Sequence, residues 1–170
     1  SDRISGLRLD ALTHPSFAKP RQLARSVNGN FVLGEVSVKA NGKPVPIREA
    51  IATFAQDNYP VKNLIDGKPG TGWAIHSDKP ENVSAFLLFE TPLESDDEPH
   101  KLVVTLTHAS PFKDHNVGRF QLQLTGQDHP DLEGASPFPA EVLAALKTPA
   151  EQRHKTQQKT LLDHYREVDV

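Results

Sequence analysis

The chain has 170 residues, enough for one domain or one domain with an extension, and long enough to bury a proper core. Lys and Arg number 19 against 22 Asp and Glu, a formal net charge of −3, so there is no broad basic face to attract nucleic acid or anionic lipid. Cysteine is absent, which removes disulfides, thiol catalysis and any Cys-x-x-Cys-His haem attachment from these residues. No run approaches the roughly 18 apolar residues of a membrane span, and no signal peptide is read at the start. Methionine is also absent, even from position 1, so the chain is expected to be a piece of a longer one.

Residues 4–11 alternate and predict a first strand. Residues 12–29, rich in Pro, Ser and Asn, predict a loop; Arg3, Arg8, Lys19, Arg21 and Arg25 give the first 25 residues a basic lean, read as solvated surface. Residues 31–40 predict a second strand, closed by Asn41-Gly42-Lys43-Pro44. Asn-Gly between β-type runs signals a hairpin, because both residues tolerate positive φ. A third strand is expected over 47–54, although Glu49-Ala50-Ile51-Ala52 also fits a helix. Residues 82–90 read as a buried strand, and 101–108 and 119–125 alternate with one face inward. Glu94-Ser95-Asp96-Asp97-Glu98 reads as a solvated acidic turn.

Short strands at intervals of roughly 8–12 residues predict an all-β sandwich over residues 1–126. Residues 127–170 depart from that pattern. A Pro/Asp/Gly-rich linker over 127–139 precedes a short helix over 140–146. Thr148-Pro149-Ala150-Glu151 then predicts a second helix start, with an N-cap, proline at the first helical position and a capping-box glutamate. Leu161, Leu162, Tyr165 and Val168 fall on one face of that second helix.

The segment most telling for function is Asn63-Leu64-Ile65-Asp66-Gly67-Lys68-Pro69-Gly70-Thr71-Gly72-Trp73. Its glycines and proline let several carbonyl oxygens converge on one point. The Asp66 carboxylate, an oxygen of Thr71, and chiefly the backbone carbonyls of Asn63 and Lys68 make an all-oxygen set of the kind that calcium prefers. Such an ion would pin the loop rather than catalyse. Trp73, the only tryptophan, is expected in the core beneath it.

Three segments together resemble a known family: the Asp66–Trp73 loop, His115-Asn116-Val117-Gly118-Arg119-Phe120 leading into the last strand, and Val27-Asn28-Gly29-Asn30-Phe31 leading into an early one. Their order is similar to discoidin-like (coagulation factor 5/8 type C) and related galactose-binding-like carbohydrate modules. The resemblance is strongest to those found in large multidomain cytochrome c proteins of planctomycetes. It covers residues 1 to about 126, and it implies a jelly-roll form of the sandwich with the helices as a C-terminal extension. It further implies a non-catalytic module that targets its parent protein to a polysaccharide, with a structural calcium, other domains of the parent chain as neighbours, and a periplasmic or cell-surface setting.

Ligand contacts are expected from loops at one end of the sandwich. Tyr59 or Phe112 would offer an aromatic platform, while His76, Asp78, His115 and Arg119 would bond sugar hydroxyls or an acidic substituent. The other function open to the sequence is a structural module that docks on neighbouring domains and binds no sugar. No nucleophile elbow, phosphate loop or dinucleotide fingerprint occurs. The eight histidines have no metal-ligand spacing, and Glu35 and Glu49 read as outward-facing. No enzyme chemistry is expected.

Overall fold

A computed structural model of the chain describes residues 3–17, 22–68, 70–76, 82–94, 100–128 and 140–168, with backbone alone at 140, 143, 147, 167 and 168. The acidic residues at 95–98 and most of the predicted linker, 129–139, lie outside the described residues. The chain divides into two compact units, Ser1–Ala135 and Ser136–Val170.

The strands described in the first unit all pair antiparallel. Its strands are β1 (Arg3–Ala11), β2 (Val32–Leu33), β3 (Glu35–Ala40), β4 (Lys43–Val45), β5 (Ile47–Ala52), β6 (Trp73–Ala74), β7 (Val83–Glu94), β8 (Leu102–Thr107) and β9 (Phe120–Thr125). They form a four-stranded sheet in the order β5-β7-β1-β9, a three-stranded sheet β4-β3-β8, and a short ribbon β2-β6. One core lies between the two larger sheets. Leu7, Leu9, Ala85 and Leu87 from the first meet Val36, Val38, Val104 and Leu106 from the second.

Alternation in the sequence becomes sidedness here. Along β3, Val36, Val38 and Ala40 are buried while Ser37 and Lys39 are exposed. The unbroken apolar run of β7 has a different cause: Val83, Ala85, Leu87 and Phe89 join the main core, while Phe86 packs with Ile51 in a separate cluster. A strand buried on both sides needs apolar residues at successive positions. Beside Phe86, the buried Asp10 accepts hydrogen bonds from Arg8 Nε at 2.7 Å, Gln123 Nε2 at 3.0 Å and the Ser84 hydroxyl. That network stitches β9, β1 and β7 together, and pairing is what makes a buried carboxylate tolerable.

The predicted hairpin forms between β3 and β4, with Ala40 opposite Lys43 and positive φ at Asn41 (50°) and Gly42 (81°). The single strand expected over 31–40 divides at Gly34. Residues on either side have different partners: β2 pairs with β6, whereas β3 pairs with β4 and β8. A 3-10 turn over Val61–Ile65, not expected from the sequence, buries Leu64.

The second unit contains α1 (Ala140–Lys147), a 3-10 turn over Ala150–Gln152 and α2 (Lys155–Val168). The helix start expected at Thr148 is not where α2 begins. The Thr148 hydroxyl instead donates back to the Ala144 carbonyl at 3.0 Å and accepts from Gln157 Nε2 at 3.0 Å. Gln157 Oε1 accepts the His154 N–H at 3.0 Å, so the glutamine half of a capping box belongs to the next turn of chain. Among the described residues, no helix is long and apolar enough to cross a membrane.

Trp73 is fully buried and meets Phe31 edge to face, with ring centroids 5.1 Å apart. Trp73→Ala is expected to cost about 3–5 kcal/mol, the range for emptying an aromatic site in a core. Equilibrium urea unfolding followed by far-UV circular dichroism measures it.

Candidate functional site

The loop after the 3-10 turn is organised by Asp66. Its Oδ1 accepts the Lys68 N–H at 2.9 Å, a local turn of the kind short carboxylates favour, and the Thr71 hydroxyl lies 3.0–3.1 Å from both carboxylate oxygens. The Lys68 carbonyl accepts the Thr71 N–H at 2.9 Å, and Asn63 Nδ2 donates to the Gly72 carbonyl at 3.0 Å. All four residues expected to hold calcium therefore belong to one hydrogen-bonded loop. The bond to Gly72 uses the Asn63 side-chain amide, whereas the oxygen expected from Asn63 is its backbone carbonyl.

A residue read as outward-facing belongs to the same place. Glu35, at the start of β3, is half-buried, and its Oε1 is buried without a hydrogen-bond partner. Burial raises its pKa above the ordinary 4.5; the Lys68 and Gly67 amides pull it down, and the neighbouring Asp66 charge pushes it up. Two carboxylates with an unpartnered oxygen and the Lys68 carbonyl fit the charge and ligand type of a hard cation. The hydrogen bonds closing the loop mean that the Thr71 hydroxyl would reorient to serve it. Among the described residues, no group of three or more His, Cys, Asp or Glu is placed to hold a metal, so any ion here would rely on backbone carbonyls. Glu35 escaped the sequence reading because its role depends on a loop some thirty residues away.

The second candidate site is built around β2. Asn30 is buried; its Oδ1 accepts the Ile75 N–H at 3.0 Å and its Nδ2 donates to Gln56 Oε1 at 3.1 Å. Gln56 Oε1 also accepts the His76 N–H at 3.0 Å, and the Gln56 carbonyl accepts the Tyr59 N–H at 3.1 Å. On the other flank, the His115 carbonyl accepts the Val32 N–H at 2.8 Å, while Val32 pairs with Ala74. The Phe112 and His115 rings pack with centroids 5.5 Å apart, and His115 Nδ1 lies 2.7 Å from the Lys113 carbonyl. His108 Nδ1 reaches the Val32 carbonyl at 3.3 Å, and burial lowers its pKa.

Tyr59, His76, Phe112 and His115 thus stand on loops joined through Asn30, Gln56 and Val32. Phe112 and His76 are exposed, and Tyr59 and His115 are partly exposed. Asp78 lies outside the described residues. Arg119 immediately precedes the last strand and is exposed, and its carbonyl accepts the Leu12 N–H at 2.8 Å. One residue before it, Gly118 enters a polar cleft of about 370 Å³ lined also by Arg25, Asp114, Asn116 and Val117. A Cβ on Gly118 would fall 2.4 Å from Phe17 Cζ, so only glycine lets this segment lie so close to its neighbour. Arg25, Asp114 and Asn116 were not singled out as ligands from sequence, since nothing local in the chain marks 25 and 114 as neighbours.

No family model, curated protein or solved structure matches this chain.

Glu35 gives a pH test. A carboxyl raised in the folded state contributes stability below about pH 4.5, and that contribution is lost as pH rises through the raised value. In metal-free buffer, Glu35→Gln is therefore expected to gain stability relative to the parent as pH rises from about 4 to 7. Urea melts across that range measure it; a constant difference would remove Glu35 from the charged cluster.

Proposed function

We propose that the first unit is a non-catalytic carbohydrate-binding module, a jelly roll of the galactose-binding-like kind, which binds polysaccharide through the loops at its β2 end. The observation that carries this reading is the polar cleft of Arg25, Asp114 and Asn116, with the half-exposed ring of Phe112 two residues from Asp114. Sugar recognition requires that combination: a few fixed polar groups for hydroxyls, and an apolar ring for a pyranose C–H face. The Asn30–Gln56 hydrogen bonds support it by holding the contributing loops before any ligand arrives, which lowers the entropy lost on binding. The order of the three sequence motifs supports the family assignment, and with it a periplasmic or cell-surface parent of the planctomycete cytochrome c type.

Calcium belongs to this proposal as a structural ion. Glu35 and Asp66 would supply its carboxylates and Lys68 and Asn63 backbone carbonyls, with the Thr71 hydroxyl turning toward it. It would hold the loop that precedes Trp73 and take no part in binding sugar directly.

A second reading has its own observation. In the helical unit, Val142, Leu146, Leu161, Leu162 and Tyr165 line a cleft of about 690 Å³ between α1 and α2, and Tyr165 is 64 % exposed. An uncovered apolar face of that kind favours a docking role against other parts of a parent protein.

Affinity electrophoresis against a panel of neutral, uronic acid-rich and sulfated polysaccharides in calcium buffer tests the leading reading. Selective retardation is expected, weakened about tenfold by Phe112→Ala through loss of ring stacking. Uniform mobility of the folded protein across the panel transfers the weight to docking. For the ion, free calcium at about 100 times its Kd is expected to stabilise the chain by about 2.7 kcal/mol. Asp66→Ala should abolish that gain in a thermal melt, and an unmoved melt in the parent chain removes calcium from the proposal.

A further inference from the structure

The cleft beside Gly118 has an electrostatic asymmetry that bears on which sugar it takes. Its two walls are the segment through Arg25 and the segment 114–118. An antiparallel bridge between Ala24 and Val117 and the Gly118 N–H donated to the Leu23 carbonyl at 3.0 Å tie them together. The walls are thus fixed relative to one another by main-chain bonds, on either side of a space within the ~300–1,000 Å³ of ordinary ligand sites.

Arg25 and Asp114 both line this space, yet no ion pair joins them, and among the described residues the Arg25 side chain has no hydrogen-bond partner. Elsewhere in the first unit, Arg3, Arg8 and Arg48 each have an acidic partner. Lys113 and Arg119, both exposed, flank the 114–118 segment in sequence. Asp114 holds φ of 61°, a left-handed conformation that aspartate tolerates better than most residues. The turn places the Asp114 backbone at the edge of the cleft.

We infer that this cleft selects a uronic acid residue of a polysaccharide, a step that rests on the carbohydrate-binding reading above. The guanidinium is a planar fork that matches a carboxylate with two parallel hydrogen bonds. Asp114, an acceptor only, takes hydroxyl protons from the same ring, and Asn116 offers both a donor and an acceptor. A neutral sugar would leave Arg25 unanswered. Asp114 opposes a ligand bearing anionic groups on every side, so the fit is to a ring with one acidic edge and one hydroxyl edge. The selectivity is local, since the chain as a whole carries a net charge of −3.

Isothermal titration of the full chain with trigalacturonate, its methyl ester, galactotriose and a sulfated galactan oligosaccharide tests this. The free acid is expected to bind at least about tenfold more tightly than its ester, with the advantage shrinking as salt is raised. Arg25→Gln should erase the advantage of the acid over its ester while leaving the melting temperature unchanged. Arg25→Lys, which keeps the charge but not the fork, should restore part of it. Equal affinity for acid and ester, or a preference that survives Arg25→Gln, overturns the uronate assignment and leaves the carbohydrate reading intact. A preference for the sulfated galactan over the uronate also overturns it, in favour of a sulfate subsite. Failure of the folded chain to bind any of the four overturns the uronate assignment, and uniform mobility across the electrophoresis panel as well overturns the carbohydrate reading.

Discussion

Phe31 and Trp73 stand on adjoining backbone segments, meet edge to face at 5.1 Å, and are both wholly buried, while the indole N–H donates to the Phe54 carbonyl at 2.9 Å. Aromatic side chains bury more area than any others and want a partner for a buried N–H; here Phe31 packs against the ring and the Phe54 carbonyl takes the N–H. The ring pair fixes the β2-β6 ribbon, and that ribbon connects the two candidate sites. The Asp66 loop ends on Trp73, and the ring of loops held by Asn30 and Gln56 starts beside Phe31. Disturbing the pair would loosen both sites together.

The two sites have opposite electrostatic needs. Around Asp66, a second carboxylate from Glu35 is drawn in, partly desolvated and held in its protonated form more firmly than usual. Around Gly118, Arg25 faces a polar cleft without a partner. The first is costly, since like charges repel and partial burial penalises charge, whereas Arg25 is exposed and stays hydrated until a ligand displaces that water. In the proposed function, a cation answers the first and an acidic sugar the second. Ion and ligand would then act through the same ribbon, one steadying the loop before Trp73 and the other closing on the loops beyond β2.

Much of the strand pattern was legible because period-two alternation maps directly onto the two sides of a sheet, as in Val36, Val38 and Ala40. Asn41-Gly42 was legible because positive φ is a property of those residue types. What stayed hidden depended on partners distant in sequence. The break at Gly34 reflects a change of pairing partner, and Leu64 is buried by a turn that carries no periodic signal. The Thr148 reading failed because one hydroxyl had two uses open to it: the back-bond to Ala144 and the contact with Gln157 prevailed over a cap. Among site residues, Asp66 and Thr71 announced themselves within one loop. Asn30, Gln56, Glu35 and Arg25 acquire meaning only through contacts that cross the fold.

The most direct test of the central claim is amide chemical-shift mapping of the chain while a polysaccharide that retards it is titrated in calcium buffer. Perturbations concentrated at residues 22–32, 56–59, 74–76 and 108–119 are predicted, with the largest at Asp114, Asn116 and Gly118. Perturbations confined to α1 and α2, or spread over the outer face of the four-stranded sheet, would place recognition elsewhere and contradict the assignment of the β2-end loops.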